Sequence, residues 1–297
     1  MTGASALGVF GTPTLTLAAL ETFAHGLDHP EGIAVTPDGT VFVGGEAGQL
    51  YRIDADGNFA EVATTGGFLL GLASDADGRL YACDTANHCV WRIDLAAPGE
   101  AAPEVYSAGV PGRAFVTPNW PCFDGDGNLY VSDSGTWKSA DGSILVVRPG
   151  GRTELWTDET RNFPNGMALS PDGSRLYVLE STPGALVEFA IRPDGSAGPR
   201  RLLVELAGAV PDGVAPTTDG SLVIACYRPD TVLRWHPDLG LQVLASDPEG
   251  TVLAAPTNLV FTGPERDTIV VPNIGRWHLT RFRADGLRGI APAYPRL

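Results

Sequence analysis

The sequence predicts an all-β chain folded as a six-bladed β-propeller, with four antiparallel strands in each blade. One plan, consisting of a polar entry, a short apolar strand, an Asp-Gly turn and an alternating strand, occurs six times. The repeats follow one another every 39 to 49 residues, which matches the length of a propeller blade. Helical periodicity is almost absent, and we expect residues 1–297 to form a single domain.

The repeats keep one phase along the chain. The second residue of each repeat serves as its reference, and in five of the six repeats an Asp-Gly pair begins seven residues later. The reference residues are Glu31, Leu70, Asn119, Asn165, Asp212 and Thr257. The sixth repeat has Pro264-Glu265 in place of the turn. Because Asp-Gly between apolar runs is typical of type I′ hairpins, these pairs predict the turn between the first two strands of each blade.

The individual strands follow from this plan. Blade one is expected to contain strands near residues 32–36, 40–45, 49–54 and 59–64. The sixth repeat offers three clear strands, whereas the apolar segment 14–23 precedes the first repeat without a blade of its own. We predict that this N-terminal segment supplies the missing strand of the last blade, which closes the ring and removes an exposed sheet edge.

Composition and charge restrict the classes of partner. The formal net charge of −15 and a pI near 4.6 oppose binding to nucleic acid or to an anionic membrane surface. The first 20 residues contain neither a basic region nor a long apolar run, so we expect a cytoplasmic protein. The four cysteines are expected as buried thiols, with a Cys83–Cys89 bridge left open. A monomer and a small homo-oligomer are equally compatible with the sequence.

The reference residues predict a site for a hard cation. Equivalent positions in propeller blades converge around the central axis, and four of these six side chains are carboxylates or amides. Glu31, Asn165 and Asp212, with Asn119 beside them, offer the oxygen ligands that calcium, magnesium and manganese prefer. Two carboxylates near one axis also repel each other unless a cation or a proton lies between them.

An ordinary turn is the alternative reading of the same residues. Asn165-Gly166 and Asp212-Gly213 are turn dipeptides, and Glu31 could be a solvated loop residue. The phase of the repeats favours the site. Pro-Asp-Gly at Pro37 and Pro171 stands in the turn phase, but the repeat of Asp212 already has its own turn seven residues later.

Residues around the mouth, the end of the axis where the innermost strands begin, predict a partly apolar ligand. The second strands of four blades should end there, with Asp84, Asp133, Glu180 and Asn273. Asp133 and Glu180 are predicted to support the ligand residues from behind. The alternative is that these four residues are ordinary polar groups of surface loops. Aromatic and cationic residues follow on the mouth loops, namely Trp137, Lys138, Tyr227, Arg228 and Trp277. His29 could assist catalysis or bond at the strand entry. GxSxG, P-loop and Rossmann fingerprints are missing from the sequence.

The motifs together resemble the gluconolactonase and regucalcin (senescence marker protein) family of six-bladed propellers. The resemblance covers nearly the whole chain through HPEGIAV, FPNGMALSPDG, VPDGVAPTTDG and APTNLVFTGP. It implies that Glu31, Asn165 and Asp212 hold a divalent metal, that Asn119 contacts metal or substrate, and that Asp212 transfers the proton. Thr117 stands where sugar-lactone members often carry arginine, and Trp120 replaces their usual aspartate or glycine. Both departures favour a less polar lactone or ester.

The function that follows is metal-assisted hydrolysis of a lactone or related cyclic ester. One divalent cation, calcium first and manganese, magnesium or zinc as alternatives, would polarise the carbonyl while Asp212 acts as general base. The substrate contacts are predicted at Asn119, Trp120, Trp137, Lys138, Tyr227 and Trp277. A non-catalytic calcium- or ligand-binding propeller is the main alternative. A third is other chemistry, as in distantly similar condensing enzymes, which lack the Glu, Asn and Asp set.

Overall fold

The computed structural model describes residues 11–96 and 102–297 and contains six four-stranded antiparallel sheets arranged as a six-bladed β-propeller. The predicted fold class is confirmed. One short 3-10 helix, Leu17–Ala19, precedes the first strand. None of the helices in these ranges is long and apolar enough to cross a membrane.

The first three blades follow one another along the chain, each with its innermost strand first. Blade 1 contains β2 (Ile33–Val35), β3 (Val41–Gly44), β4 (Gln49–Ile53) and β5 (Phe59–Thr64). Blade 2 contains β6 (Leu69–Ser74), β7 (Leu80–Asp84), β8 (Cys89–Ile93) and β9 (Glu104–Ser107). A two-stranded ribbon consists of β10 (Gly109–Val110) and β11 (Arg113–Ala114). Blade 3 contains β12 (Pro118–Phe123), β13 (Leu129–Asp133), β14 (Ser143–Val147) and β15 (Thr153–Thr157).

The last three blades repeat this order, and the N-terminal strand completes the sixth. Blade 4 contains β16 (Pro164–Leu169), β17 (Arg175–Ser181), β18 (Gly184–Ala190) and β19 (Arg201–Glu205). Blade 5 contains β20 (Val210–Pro216), β21 (Leu222–Arg228), β22 (Thr231–His236) and β23 (Gly240–Ser246). Blade 6 contains β24 (Val260–Thr262), β25 (Thr268–Asn273), β26 (His278–Arg283) and, outermost, β1 (Glu21–His25).

Pairing between β1 and β26 closes the ring as the sequence predicted, with His25 opposite His278. The residues just before β1 also bind a second blade. The backbone N–H groups of Thr14 and Leu15 donate to carbonyls of β23 at 3.0 and 2.8 Å. The N-terminal segment therefore fastens blade 6 to blade 5.

The Asp-Gly pairs lie in the turns between the first and second strands, but the turn type differs from the expected one. The Gly39 N–H donates to the Thr36 carbonyl at 2.9 Å, and among the turn's residues only the glycine has positive φ. The glycines of all five pairs have φ between 68° and 87°. This is a type I turn followed by a left-handed glycine, so the expectation of type I′ is wrong. In blades 1 and 4, Pro37 and Pro171 favour this turn because a proline ring fixes φ near −65°.

The C-terminal segment crosses the base of the propeller, the face opposite the mouth. The Tyr294 hydroxyl donates to the Val35 carbonyl of blade 1 at 2.8 Å, and the Ala76 N–H of blade 2 donates to the Pro295 carbonyl at 2.9 Å. Residues 290–294 line an axial cavity of about 480 Å³ together with the innermost strands of all six blades. The segment thus fastens several blades together across the base.

The four cysteines are free thiols, as the composition predicted; three of them are buried as expected, and Cys122 is half-buried. Cys83 lies opposite Val90, and Cys89 lies opposite Asp84 in the β7–β8 hairpin. Because successive side chains of a strand point to opposite faces, the two thiols lie on different faces of the sheet. The Cys83–Cys89 bridge that the sequence left open is therefore not formed.

Candidate metal centre

The six reference residues form an axial ring at the mouth, and β-bulges place four of them there. Asn165 and Gly166 together oppose Leu179, and Asp212 and Gly213 together oppose Ala225. The registers of β6 and β12 are irregular at the equivalent positions. A bulge inserts a residue that the ladder does not pair and re-aims its side chain. All six ring residues are buried, so the repeat phase brings polar groups into the centre of the molecule.

Glycines directly after the ring residues let neighbouring blades approach closely. A Cβ atom on Gly32 would lie 1.7 Å from the Leu70 carbonyl oxygen, and one on Gly166 would lie 2.3 Å from the Asp212 carbonyl oxygen. Between blades 6 and 1, the Thr257 hydroxyl donates to the Glu31 carbonyl at 2.9 Å. The ring is therefore held by backbone contacts from blade to blade.

The carboxyl groups of Glu31 and Asp212 are both buried, and they lie close enough for the charge of one to affect the other. Burial raises the pKa of Glu31 well above its ordinary value, and the charge of Asp212 raises it further. Burial also raises the pKa of Asp212 to about 8, although the nearby amide of Asn165 opposes this shift. Two buried carboxylates that interact in this way can both ionise only when a positive charge compensates them.

The tripeptide Pro-Asp-Gly has opposite electrostatics in the ring and in the turns. A hydrogen bond from the Thr36 hydroxyl lowers the pKa of Asp38, and one from the Ser170 hydroxyl lowers the pKa of Asp172 to about 2. In the ring, burial raises the pKa of Asp212 instead. The same tripeptide sequence therefore stabilises a turn at the base, whereas at the mouth it carries a carboxyl group that is harder to ionise.

The two ring asparagines each present an unpaired carbonyl oxygen. The Nδ2 group of Asn119 donates to the Ser134 hydroxyl at 3.0 Å, and that of Asn165 donates to the Ser181 hydroxyl at 3.4 Å. Neither Oδ1 atom receives a hydrogen bond from the part of the chain that the structure describes, although both atoms are buried. Leaving a buried acceptor unsatisfied costs about 1–3 kcal/mol, so two beside a carboxylate pair indicate a ligand site.

The donor set fits a hard divalent cation. Two carboxylates supply the negative charge, two amide oxygens supply neutral ligands, and these are the groups that calcium, magnesium and manganese bind. The ring includes neither histidine nor cysteine. A cation at this position would compensate the Glu31–Asp212 pair and give the two orphan oxygens a partner.

The polar residues at the ends of the second strands fix the loops that lead into the innermost strands. Asp133 accepts hydrogen bonds from the backbone N–H groups of Val116 and Thr117, at 3.0 and 2.7 Å for one oxygen. The buried carboxylate of Glu180 accepts from Thr160 at 2.8 Å and forms an ion pair with the partly exposed Arg200. Asp84 and Asn273 accept from backbone N–H groups in the same way. These contacts hold the loops before Asn119 and Asn165, so Asp133 and Glu180 lie behind the ring.

The mouth loops carry exposed aromatic residues in strained backbone positions. Trp137 and Trp277 are each 46% exposed, and Tyr227 is 37% exposed. Trp137 packs edge-on against Phe163 with ring centroids 4.8 Å apart. Among the described residues, seven of the eight non-glycine residues with positive φ lie on mouth loops, including Lys138, Phe163 and Trp277. Such strain often clusters at functional sites. Sequence reasoning missed Phe163, whose aromatic side chain directly before Pro164 was the available signal.

The remaining substrate-contact predictions fall in different environments. Tyr227 lies under the Arg228 guanidinium, 4.8 Å from its ring centroid, and Lys138 is exposed without a hydrogen bond or ion pair to the described residues. Trp120 differs from the other tryptophans because it lines the axial cavity. A Cβ atom on Gly213 would lie 3.1 Å from its indole. Trp120 therefore reaches from blade 3 to blade 5 below the ring, rather than lying among the mouth loops.

A second acidic group lies beside the ring. Asp28, His29 and Glu46 bring their ligand atoms within 4.8 Å of one another. His29 Nδ1 is 2.9 Å from Asp28 and 2.7 Å from Glu46, and the ring of His29 packs against Trp277. Gln49 also donates to Asp28 at 3.0 Å. The group is satisfied by its own contacts, and His29 bonds near the strand entry, which was one of its two predicted uses.

Comparison with known proteins identifies the family. A family model described as the SMP-30/gluconolactonase/LRE-like region matches residues 104–274, more than half of the chain. Shorter matches occur to a strictosidine synthase-like N-terminal model at residues 13–53 and to an NHL repeat model at residues 68–93. A gluconolactonase from Zymomonas mobilis is 26% identical over 190 residues, which is 57% of this chain and 51% of that protein. The chain thus spans about half the length of this curated relative.

Solved structures show the same fold. A gluconolactonase from Xanthomonas campestris matches with a TM-score of 0.74 at 24% identity, over 90% of this chain and 92% of that one. Regucalcin from Agrobacterium tumefaciens, described as a calcium-binding protein, matches with a TM-score of 0.72 at 17% identity, over 93% of this chain and 97% of that one. With the family model spanning more than half of its length, the chain belongs to the SMP-30/gluconolactonase/LRE-like family.

Proposed function

We propose that this protein is a metal-dependent lactonase whose divalent cation, calcium in the first instance, binds at the axial ring. The observation that carries the proposal is the pair of orphan amide oxygens, on Asn119 and Asn165, beside the buried carboxyls of Glu31 and Asp212. The relative named gluconolactonase supports a lactone as the substrate class. The neighbour described as a calcium-binding protein supports calcium.

The ring residues divide the chemical work between them. Glu31, Asn165 and Asp212 would hold the cation, which when bound polarises the lactone carbonyl and stabilises negative charge on its oxygen. Asp212 would accept the proton of the attacking water, which a carboxylate kept ionised by the cation can do. The amide of Asn119 would supply a fourth oxygen to the cation and, from the same position, orient the substrate at the mouth. Return of that proton from Asp212 to the ring oxygen as the acyl–oxygen bond breaks would then yield the hydroxy acid.

The mouth loops favour a lactone with an apolar substituent. Trp137, Tyr227 and Trp277 expose large aromatic surface around the ring, and Phe163 extends it. Thr117, which stands where sugar-lactone relatives often carry arginine, offers no fork of donors for several hydroxyls. We therefore place less polar lactones ahead of aldonolactones, and cyclic or aryl esters after both.

The experiment that tests the function is pH-stat hydrolysis on chelated protein. Sugar lactones, aliphatic lactones, phenyl-substituted lactones and aryl esters are assayed with and without calcium, manganese, magnesium or zinc. The proposal requires turnover of at least one lactone that depends on the added cation. Tight cation binding with no turnover across the panel would instead support a calcium- or ligand-binding propeller.

The carboxyl pair predicts how the stability of the cation-free protein depends on pH. Both groups keep their protons to a higher pH in the folded state, so unfolding releases protons between about pH 4 and about pH 8. Asp212 then lowers the free energy of unfolding by about 1 kcal/mol per pH unit in that window, and Glu31 lowers it further. The melting temperature in EDTA should therefore fall as pH rises, and calcium should raise it more at pH 8 than at pH 5.

Differential scanning fluorimetry across this pH range measures the effect. The matched control is Asp212→Asn, whose melting temperature should depend less steeply on pH because one of the two raised carboxyls is gone. Equal slopes for the wild type and this variant would contradict the prediction, since other titrating groups contribute to both proteins alike.

The aromatic mouth predicts a change of specificity in Trp137→Ala. Loss of the indole removes apolar contact with a phenyl-substituted lactone, which is worth about 1–2 kcal/mol and raises KM about tenfold. Turnover at saturation and the constants for a sugar lactone should stay unchanged. Phe59→Ala is the control, because Phe59 is also an exposed aromatic residue but lies at the base. Equal changes of KM for both lactone types would exclude an aromatic subsite.

A further inference from the structure

The orientation of a ring asparagine decides whether it offers an oxygen or an amino group to a cation. The two ends of an amide are nearly the same size, so packing alone does not choose between them. A neighbour that can only accept a hydrogen bond does choose, because it must face the amino end. Two serines of this chain are such neighbours.

Ser134 lies at the end of the second strand of blade 3, one residue beyond β13. Its hydroxyl donates to the Pro164 carbonyl at 2.6 Å, and a carbonyl oxygen can only accept. The single hydroxyl proton is therefore used. The serine oxygen can then only accept from Asn119, whose Nδ2 lies 3.0 Å away, and Oδ1 of Asn119 is turned from the serine.

Ser181 repeats the arrangement one blade later. Its hydroxyl donates to the Pro211 carbonyl at 2.7 Å and accepts from Nδ2 of Asn165 at 3.4 Å. In both cases the accepting proline directly precedes the ring residue of the next blade, Asn165 or Asp212. Both asparagine Oδ1 atoms are among the buried oxygens that lack a hydrogen-bond partner in the described residues. Each serine therefore joins the side chain of one ring residue to the backbone that carries the next.

We propose that Ser134 and Ser181 are positioning residues that turn the carbonyl oxygens of Asn119 and Asn165 toward the cation. The proposal rests on the cation of the proposed function. Without the serine hydroxyl, the amide can rotate and present an amino group, which repels a cation. Removing a group that orients a metal ligand typically lowers metal affinity about 10- to 100-fold.

The test is isothermal titration calorimetry, in which calcium chloride is added to chelated protein of residues 1–297. Ser134→Ala and Ser181→Ala should each weaken calcium binding about tenfold or more. Ser132→Ala is a matched control. The Ser132 hydroxyl is equally buried, accepts from the backbone N–H of Trp120 at 3.0 Å and donates to the backbone carbonyl of Asn165 at 2.9 Å. It makes no hydrogen bond to the side-chain amide of Asn119 or Asn165. All three variants should lose thermal stability in EDTA, and only the first two should lose calcium affinity.

A second pair of variants separates orientation from packing. In an Asn165→Asp background, either oxygen of the carboxylate can face the cation, so adding Ser181→Ala should change calcium affinity less than twofold. Equal affinity losses in Ser132→Ala and Ser181→Ala, or an undiminished loss in the Asn165→Asp background, would overturn the positioning role while leaving the lactonase proposal intact. A wild-type protein that binds no divalent cation would overturn the metal site and this role together, even if it hydrolysed lactones.

Discussion

Asp212→Asn is expected to lose lactone hydrolysis by a factor of about 10²–10⁴ at saturating cation, the usual contribution of a general base. The substitution keeps the shape of the side chain but removes both the negative charge and the basic oxygen. It should also weaken cation binding, so turnover and calcium affinity are measured on the same preparation. Retention of full activity with the cation bound would show that Asp212 is not the base.

The same variant should be more stable than the wild type when chelated at pH 8. Burial raises the pKa of Asp212 to about 8, so near this pH its ionised form is held in the folded state at a cost. Asparagine removes that cost, and we expect the melting temperature in EDTA to rise by a few degrees. The gain should vanish near pH 4, where the folded wild type carries the proton. A residue whose removal stabilises the fold while abolishing turnover is one retained for function.

The repeat phase in the sequence was sufficient to predict the fold and the convergence of the ring. Asp-Gly at a constant offset in five repeats, followed by a sixth repeat of the same plan, predicted six blades. The unassigned segment before Glu31 predicted the closing strand, which the structure has as β1. Phase also distinguished Asp212 from Asp38 and Asp172, which lie in turns. All three aspartates belong to a Pro-Asp-Gly tripeptide, so the local sequence alone does not separate them. These features were visible because each depends on position within one repeat.

Features that depend on contacts between repeats were not visible in the sequence. The orientation of Asn119 depends on Ser134 and on a carbonyl of the next blade, and no spacing within one repeat encodes that meeting. Trp120 follows Asn119 and was grouped with the mouth tryptophans, but it lies below the ring against blade 5. The path of the C-terminal segment across the base likewise depends on surfaces that exist only after the ring has closed.

One interblade feature did leave a signal that the sequence interpretation did not use. Glycine follows the ring residue in four blades, at Gly32, Gly71, Gly166 and Gly213. Two of these pairs, Asn165-Gly166 and Asp212-Gly213, are also typical turn dipeptides. In the structure both pairs lie in bulges within strands, and the glycine is required by the backbone of the next blade. A glycine inside a strand pattern indicates such a bulge or close approach.

Among alanine substitutions of the glycines that follow the ring residues, Gly32→Ala should therefore be the most destabilising. Its Cβ would lie 1.7 Å from the Leu70 carbonyl oxygen, a contact that only movement of blade 1 against blade 2 can relieve. We expect the free energy of unfolding to fall by at least about 3 kcal/mol, at or beyond the upper end for overpacked sites. Urea denaturation monitored by tryptophan fluorescence measures this loss. Calcium affinity should fall as well, because Glu31 directly precedes Gly32 and moves with it.

The distance between the added Cβ atom and its nearest neighbour predicts the order of stability loss among the glycine-to-alanine variants. A Cβ atom would lie 2.3 Å from the nearest atom at Gly166 and 2.6 Å at Gly71, so Gly166→Ala and Gly71→Ala should be progressively milder than Gly32→Ala. Gly125→Ala is the control, because nothing lies within 4 Å of its added methyl group. Its stability should change by no more than about 0.5 kcal/mol. Wild-type stability in Gly32→Ala would mean that the blades can separate at the ring, and that the ring is too loose to hold four oxygens around one cation.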